Sequence, residues 1–492
     1  MRAADSSPVR ILLVNFNTYD QPYPIYPIGL TYIEGALRED GHLTEIWDAI
    51  SPGESLEQAA GRFQPDFIGL TMRNIDNVQA HHPVSFTRDL LACVERLRAV
   101  SSAPLILGGS GFSIFPDELY ARTGVEFGIV GAGETAIRRL IRSLRGGTEP
   151  LGEIAGLIFR NDHGTIVHVP RERRADGFSG SPHHEPARLS AYAQEGFPLG
   201  LQTQRGCPLH CCYCTYPLIE GTRSRFRTGE EVAAELACME AAGVRQAFLV
   251  DSVFNTRNSH VIHVCEAVLR AGVKINWECL LRPDKTLTRE LLELMQRAGL
   301  NHIEFGSDSF SDPVLRSYGK GFDFGEIQQA SELASELKIR HTHFMIFGGP
   351  GETHESIEET IARAAEIPKA LYFATIGMRI YPGTPLCQRV NLLHANSPDH
   401  APSDFLLEPR FHIEPPLTVA GIHARLSQVL QGSGNWALGD LPPAFAAIVA
   451  KLRRSGKGAN IWEYMELMQG LGRRPQASAT GVSANPPSHQ SS

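Results

Sequence analysis

Short apolar runs alternate with helical patterns along most of this chain, and this alternation is the strongest constraint on its fold. In the first third, the predicted strands are 10–15, 43–47, 67–71, 104–109 and 126–130. The predicted helices between and after them are 29–39, 55–63, 90–100 and 134–144. Strands that alternate with helices predict an α/β fold with a doubly wound, Rossmann-like parallel sheet.

The predicted strands of this sheet end in polar residues and glycines. Parallel sheets bind ligands at the carboxyl ends of their strands. Glycines there let a ligand approach the backbone closely, although each one alone is also consistent with a tight turn. None of these loops has the GxGxxG or GxxxxGK[ST] pattern of a nucleotide site. The four clustered ends predict a ligand-binding edge formed by Asn15, Thr71, Arg73, Gly108, Gly109, Ser110, Gly131, Gly133 and Glu134.

A second strand–helix series begins near Leu199. Its six predicted strands lie near 199–203, 246–250, 274–279, 302–306, 342–347 and 373–379, which predicts a partial (β/α)6 barrel with its site at the carboxyl ends of the strands. We therefore expect five segments: a first domain over 1–148, a connector with a small hairpin over 149–195, a barrel over 196–395, a helical region over 396–474 and a disordered tail over 475–492.

Four of the nine cysteines lie within the window from Cys207 to Cys214, directly after the first strand of the second series. An odd number of cysteines in a long chain does not indicate a disulfide scaffold. Cys207, Cys211 and Cys214 form a CxxxCxxC pattern, whose thiolates suit an iron–sulfur cluster. Zinc is the alternative, because Cys212 or His210 would supply the fourth ligand of a structural site.

The sequence from Thr203 to Cys214 resembles the signature of the radical S-adenosylmethionine (SAM) superfamily. Further matches follow the later strands, among them Gly306-Ser307-Asp308-Ser309 and the glycine-rich segment 348–353. With the doubly wound domain in front, residues 8–390 resemble the cobalamin-binding radical SAM enzymes, many of which are methyltransferases. One departure is that Asp308 stands where the family motif usually has Glu.

The resemblance implies a set of roles. The three motif cysteines would ligate a [4Fe-4S] cluster whose open iron binds SAM, and Cys212 would face away from it. Tyr213 would pack near the adenine, and Arg282, Ser307 and Asp308 would make polar contacts with SAM. A surface salt bridge is the alternative for Arg282. Cobalamin would lie at the edge of the first sheet.

The resemblance also implies chemistry. A radical made from SAM would abstract a hydrogen from an unactivated carbon of a small molecule, such as a natural product, and methylcobalamin would supply the methyl group. Flavodoxin or ferredoxin would supply electrons. A rearrangement or cyclisation with the same cofactors is the alternative, and a binding module with a structural cluster is the alternative outside the enzymes.

Charge and hydropathy limit the class of substrate and the cellular location. The chain has 46 Lys plus Arg against 54 Asp plus Glu, a net charge of −8, and no basic run, which argues against a nucleic-acid substrate. No apolar stretch is long enough to span a bilayer, and the N-terminus does not have the pattern of a signal peptide. These features predict a cytoplasmic protein.

The loop after the first strand makes a prediction about cobalt. Many cobalamin-binding proteins carry DxHxxG there, whereas residues 15–24 contain no histidine. We therefore expect cobalamin to bind with its own base detached and with no histidine in its place. Met72, Arg73 or Asn74 would lie nearest the lower face, and a guanidinium there cannot ligate cobalt. The alternative for Arg73 is an ion pair with Asp76.

Overall fold

The computed structural model describes residues 7–20, 24–50, 53–172, 180–367, 369–393, 406–439 and 451. Its first sheet begins with five parallel strands in the order β2-β1-β3-β4-β5. These strands are β1 (Arg10–Asn15), β2 (Leu43–Asp48), β3 (Phe67–Thr71), β4 (Leu105–Gly108) and β5 (Phe127–Ile129). The strand order reverses between β1 and β3, which opens a crevice at the carboxyl ends of the strands.

The predicted hairpin is present and extends this sheet. Strands β6 (Leu157–Arg160) and β7 (Ile166–His168) pair antiparallel, and β6 also pairs antiparallel with β5. Seven strands therefore form one sheet.

Helices cover both faces of the first sheet. Apolar side chains of α1 (Ile28–Glu39) and α6 (Glu134–Leu144) pack on one face. The other face is covered by α2 (Leu56–Phe63), α3 (Thr87–Val100), α4 (Ser110–Ile114) and α5 (Pro116–Thr123). The sequence analysis did not predict α4 and α5. Both are short, and the glycines before α4 had indicated only a turn.

The second sheet is entirely parallel and open at both ends. Its strands are β8 (Leu199–Leu201), β11 (Gln246–Leu249), β12 (Asn276–Leu281), β13 (Leu300–Asp308), β14 (Arg340–Phe347), β15 (Leu371–Ile376) and β18 (Trp436–Leu438), in that order across the sheet. Two short antiparallel pairs lie outside it, β9 (Gln204–Arg205) with β10 (Arg225–Phe226) and β16 (Met378–Arg379) with β17 (Phe411–His412).

The seventh strand corrects the prediction of six. It lies in the segment predicted to be helical, where α16 (Val419–Gly432) is indeed present. Three residues are too few for a period-two signal, and β18 is held by its neighbours, because Trp436 stacks on Tyr372 with ring centroids 4.6 Å apart. The remainder of 396–474 and the predicted tail lie outside the described residues, apart from residue 451.

One helix precedes the first strand of the second sheet, and further helices follow its strands. In chain order they are α7 (Pro186–Gln194), α8 (Tyr216–Glu220), α9 (Gly229–Ala241), α10 (Asn258–Ala271), α11 (Arg289–Arg297), α12 (Asp312–Tyr318), α13 (Phe324–Glu336), α14 (His354–Glu366) and α15 (Pro385–Leu393). Capping boxes begin α9 at Thr228 and α13 at Asp323. None of the helices described is both long and apolar enough to cross a membrane.

Buried polar contacts join the two α/β units. The Nε of Arg379 lies 2.7 Å from Oδ2 of Asp76, and both side chains are almost fully buried. Tyr192 on α7 donates a hydrogen bond to Asp48 at the end of β2. Because an isolated buried charge is costly, the Arg379–Asp76 pair fixes the loop after β3 against β16.

Candidate functional site

One large cavity lies where the two units meet. Its volume is about 1440 Å³, and it is lined by the carboxyl-end loops of the first sheet and by the segment 202–226 of the second unit. All nine residues predicted for the ligand-binding edge line it: Asn15, Thr71, Arg73, Gly108, Gly109, Ser110, Gly131, Gly133 and Glu134.

Two of these glycines are required by the backbone. Gly109 has φ +102°, and a Cβ there would lie 2.6 Å from the carbonyl oxygen of Met72. Gly131 has φ +86°, and its N–H donates to the Ser113 hydroxyl. These glycines therefore keep the turns tight as well as leaving the wall of the cavity free of side chains.

Part of the cavity is lined by apolar residues of the first sheet and of its helices, and we call this part the apolar limb. The sheet contributes Leu13, Gly69, Ile106 and Ile129 to this limb, and α1 and α6 contribute Ile33 and Ile137. Those positions belong to or adjoin the apolar layer on this face of the sheet. The apolar limb therefore borders the apolar core on this face of the first sheet.

Charged residues hold the two walls of the cavity together. Nη2 of Arg205 lies 2.6 Å from Oε1 of Glu134, and the Arg205 guanidinium also stacks over the Tyr32 ring. The other carboxylate oxygen of Glu134, Oε2, is buried and has no hydrogen-bond partner among the described residues. It is therefore an acceptor available to a ligand that carries N–H groups.

Asn15 and the loop after β3 are placed differently from each other. The Asn15 side chain donates to Asp48 at 2.9 Å, so it also supports the sheet edge. Arg73 and Asn74 line the cavity, but Met72 is fully buried in the core of the first unit and does not. Asp76, the suggested partner of Arg73, is bound by Arg379.

The cysteine window lies in a loop closed by a short hairpin. The strands β9 and β10 pair at its base, and Gly206 begins it with φ +86°. A Cβ on Gly206 would lie 2.1 Å from the carbonyl oxygen of Arg223, so only glycine fits there. Asp251 accepts hydrogen bonds from the backbone N–H groups of Thr203 and Gln204, and these bonds fix the segment that leads into the loop.

The three motif cysteines are free thiols in this loop. Cys207 is buried, and Cys211 and Cys214 are partly exposed. Burial raises the pKa of the Cys214 thiol to about 12. Burial also raises the pKa of the Cys211 thiol, and the Lys320 ammonium partly offsets that rise. Among the described residues, no three His, Cys, Asp or Glu side chains converge as ligands of one metal ion. A cluster suits this donor set better than zinc, because each thiolate binds a different iron.

Cys212, which is predicted to face away from the cluster, packs against residues from later in the chain. Its Sγ lies 3.8 Å from the sulfur of Met378, and it packs at the edge of an apolar group that includes Leu386. Its backbone N–H donates to the carbonyl of Tyr318, and its carbonyl accepts from the N–H of Leu386. These two backbone hydrogen bonds therefore fix the position of Cys212.

Tyr213 and Asp308 are brought together beside this loop. The Tyr213 hydroxyl donates to Oδ2 of Asp308 at 2.6 Å. Nζ of Lys320 lies 2.6 Å from the same oxygen. Asp308 has φ +64°, a left-handed conformation that short polar side chains tolerate.

Arg282 and Ser307 are not part of this cluster. Arg282 donates to the carbonyl of Gly321 and forms the salt bridge proposed as its alternative role, with Asp284 at 3.2 Å. Ser307 is fully buried, with its hydroxyl 2.8 Å from Nδ1 of His343. Of the residues predicted to contact SAM, only Tyr213 and Asp308 therefore touch each other.

The sequence analysis missed Lys320 and Arg205 as site residues. Lys320 lies between two glycines after a short helix, where no spacing or pattern indicates a function. Arg205 belonged to the quoted motif, but nothing local pointed to Glu134, which lies in the other unit.

Comparison with known proteins assigns both units. Residues 19–141 match the B12 binding domain, and residues 201–364 match the radical SAM superfamily. The chain is a B12-binding radical SAM protein. With these two domains it belongs among the radical SAM enzymes, and its first domain is of the cobalamin-binding kind.

Several proteins resemble the B12-binding radical SAM protein over most of its length. Tryptophan 2-C-methyltransferase of Streptomyces laurentii is 24% identical over 76% of this chain and 73% of its own length. Hopanoid C-3 methylase of Methylococcus capsulatus is 24% identical over 73% of this chain and 67% of its own. The structure of the methyltransferase TsrM from Kitasatospora setae shares the fold, with a TM-score of 0.78 and 22% identity over 94% of this chain and 100% of that one.

Proposed function

We propose that this protein is a cobalamin-dependent methyltransferase that transfers a methyl group to an unactivated carbon of a small molecule. The observation that carries the proposal is the shared cavity, which is lined by the glycine edge of the first sheet and by Thr215 and Tyr216, the residues directly after Cys214. The names of its relatives, which include a tryptophan C-methyltransferase and a hopanoid methylase, support methyl transfer to carbon.

The cysteines Cys207, Cys211 and Cys214 would hold the cluster, with SAM beside Tyr213 and Asp308. When bound, the cluster and SAM supply the radical that activates a carbon–hydrogen bond, and cobalamin supplies the methyl group. The protein keeps Cys212 outside the ligand set, orients the loop through Asp251, and encloses the reacting groups between its two units.

Cobalamin would occupy the wide cavity with its nucleotide tail in the apolar limb. The size of the cavity, its glycine-lined wall and the available acceptor at Glu134 Oε2 fit a bulky ligand that carries amide groups. We propose Arg73 or Asn74 as the residue nearest the lower face. Electron paramagnetic resonance of bound cob(II)alamin tests this, because nitrogen superhyperfine splitting would show a coordinated base or histidine and contradict it.

Reconstitution with iron, sulfide and hydroxocobalamin, followed by incubation with SAM bearing a CD3 group, tests the function. Tryptophan is the first substrate probe, since a relative acts on it. We expect S-adenosylhomocysteine and a labelled product together. Loaded protein that cleaves SAM with an accepted substrate but transfers no label would overturn methyl transfer.

Rearrangement or cyclisation is the second candidate. Anaerobic magnesium-protoporphyrin IX monomethyl ester cyclase of Cereibacter sphaeroides is 24% identical over 69% of this chain and 56% of its own length. Such a reaction would consume SAM but would not form S-adenosylhomocysteine in response to the substrate.

Three further proposals concern the protein as a whole. They are the division of the chain into five segments, a cytoplasmic location and reduction by flavodoxin or ferredoxin.

A further inference from the structure

The turn after α12 brings a lysine against the back of the cysteine loop. The N–H of Cys212 donates to the carbonyl of Tyr318 at 2.9 Å. A Cβ on Gly319 would lie 2.5 Å from the carbonyl oxygen of His210 and 3.7 Å from Cα of Cys211. The backbone of the turn is thus in contact with the loop, and Lys320 is the next residue.

The Lys320 ammonium is held by three oxygens, one of which is the Tyr213 hydroxyl at 3.4 Å. It lies 2.6 Å from Oδ2 of Asp308 and donates to the carbonyl of Gly306 at 3.0 Å. The side chains of Lys320 and Asp308 are 7% and 4% exposed. Tyr213, between two of the motif cysteines, donates to the same carboxylate oxygen and lies under the ammonium, 5.6 Å from ring centroid to Nζ.

Stability alone does not explain this buried pair. Replacing a buried ion pair by apolar residues is often neutral or stabilising, because desolvating two charges offsets their attraction. The Lys320 ammonium interacts electrostatically with the thiols of Cys211 and Cys214, two of the proposed cluster ligands, and a reduced cluster carries one more negative charge than an oxidised one. A fixed cation nearby favours the more negative state, and neighbouring charge is one of the factors that set the reduction potential of such clusters.

We propose that Lys320 supplies a fixed positive charge that raises the reduction potential of the iron–sulfur cluster, with Asp308 and Tyr213 as the residues that position it. The proposal rests on the proposed ligation by the motif cysteines. Asp308 and Tyr213 are the positioning residues, and the charge of Lys320 affects the one-electron step in which a low-potential donor reduces the cluster.

The test is the midpoint potential of the reconstituted full-length protein, titrated with dithionite and followed by the electron paramagnetic resonance signal of the reduced cluster, without substrate or cobalamin. Lys320→Met should shift the potential to more negative values, because the Asp308 carboxylate is then unbalanced. Lys320→Arg should restore the wild-type value. Asp308→Asn should shift the potential in the positive direction, since the ammonium then acts alone.

Two controls keep the test decisive. Lys338→Met removes an exposed lysine before β14, at the opposite end of the sheet from the cysteine loop, and should leave the potential unchanged. Should Lys320→Met fail to fold, the double variant Lys320→Met/Asp308→Asn removes both charges and should give a more negative potential than Asp308→Asn, which keeps the ammonium.

Some outcomes would overturn the inference. One is a wild-type potential in Lys320→Met with its cluster intact, and another is an equal fall in Lys320→Met and Lys320→Arg. Failure of the proposed function is distinguishable, because a loaded protein that transfers no methyl group still has a measurable cluster potential. A protein that binds no cluster at all would refute the ligation on which both proposals depend.

Discussion

The carboxyl ends of the strands carry different kinds of residue in the two sheets. The first sheet ends in glycines, and its edge borders a cavity of about 1440 Å³. The second ends in buried charged and aromatic side chains that contact one another, such as Tyr213, Asp308 and Lys320. A bulky ligand recognised by shape needs space, whereas a compact reactive centre needs fixed side chains.

The two edges also differ in whether residues of the other unit help to form them. The glycine edge is completed by Arg205, which reaches across to Glu134. The cysteines of the loop are held within their own unit, by Asp251 and by the residues around Cys212, whereas residues farther along the loop accept hydrogen bonds from Arg171. We therefore expect substitutions at the cysteines to affect the cluster alone, and substitutions between the units to affect both sites.

The largest expected effect is loss of the cluster. Cys207→Ala, Cys211→Ala or Cys214→Ala should each abolish stoichiometric iron and sulfide binding, because three thiolates are needed to hold the cluster. Cys212→Ala is the matched control and should retain iron, since its sulfur packs against Met378. Iron and sulfide analysis after reconstitution measures the result. Collapse of iron content in Cys212→Ala and persistence in Cys211→Ala would show that the register is wrong.

The next effect concerns the contact between the units. Arg379→Met leaves the buried Asp76 carboxylate without its cation, which should cost about 3–5 kcal/mol of unfolding free energy. Arg425→Met removes an ion pair with Glu358 whose side chains are 36% and 53% exposed, and should cost less than about 1 kcal/mol. Urea unfolding compares the two variants. Equal costs would mean that the pair does not hold the units together.

The strands of the first sheet were predictable because each is a short, buried apolar run. Predicted and observed bounds of its five parallel strands differ by at most one residue at each end. The helix α4, the strand β18 and the partners of Lys320 were not predictable, because their signals are too short or lie far apart in sequence. The glycine edge was found from sequence since its residues follow strands, whereas Lys320 and Asp308 meet only through the fold.

A smaller effect is expected at the glycine edge. Gly108 has room for a Cβ, which would lie 3.6 Å from the nearest atom, the carbonyl oxygen of Ile129. It is on the same face of β4 as Ile106, which lines the apolar limb. Gly108→Leu should therefore fill the limb and weaken cobalamin binding by about 1–3 kcal/mol, or roughly 5- to 150-fold.

Titration with hydroxocobalamin, followed by absorption spectroscopy, measures this affinity. The matched control is Gly61→Leu, on the exposed side of α2, where a Cβ meets nothing within 4 Å. Iron content should be unchanged in both variants if the two edges are independent. Unaltered affinity in Gly108→Leu would place the cobalamin tail outside the limb.

The smallest expected effect separates the two units by pH. The second sheet buries His302, His341 and His343, whereas the strands β1 to β6 contain no histidine. Burial lowers the pKa of His341 to about 4 from an ordinary 6.5. A neutral buried histidine contributes stability that is present above pH 6.5 and is lost as the pH falls towards 4, because the unfolded chain then binds a proton that the folded chain does not.

His341→Leu should remove part of this dependence. Between pH 7 and pH 5.5, the wild type should lose about 1 kcal/mol more unfolding free energy than the variant. His163→Gln, at the exposed tip of the first unit's hairpin, should follow the wild type. Hydrogen exchange locates the effect, because amides of β14 should lose protection on mild acidification before those of β3. Simultaneous loss in both strands would show that the units unfold as one, and that the contrast between them is confined to their sites.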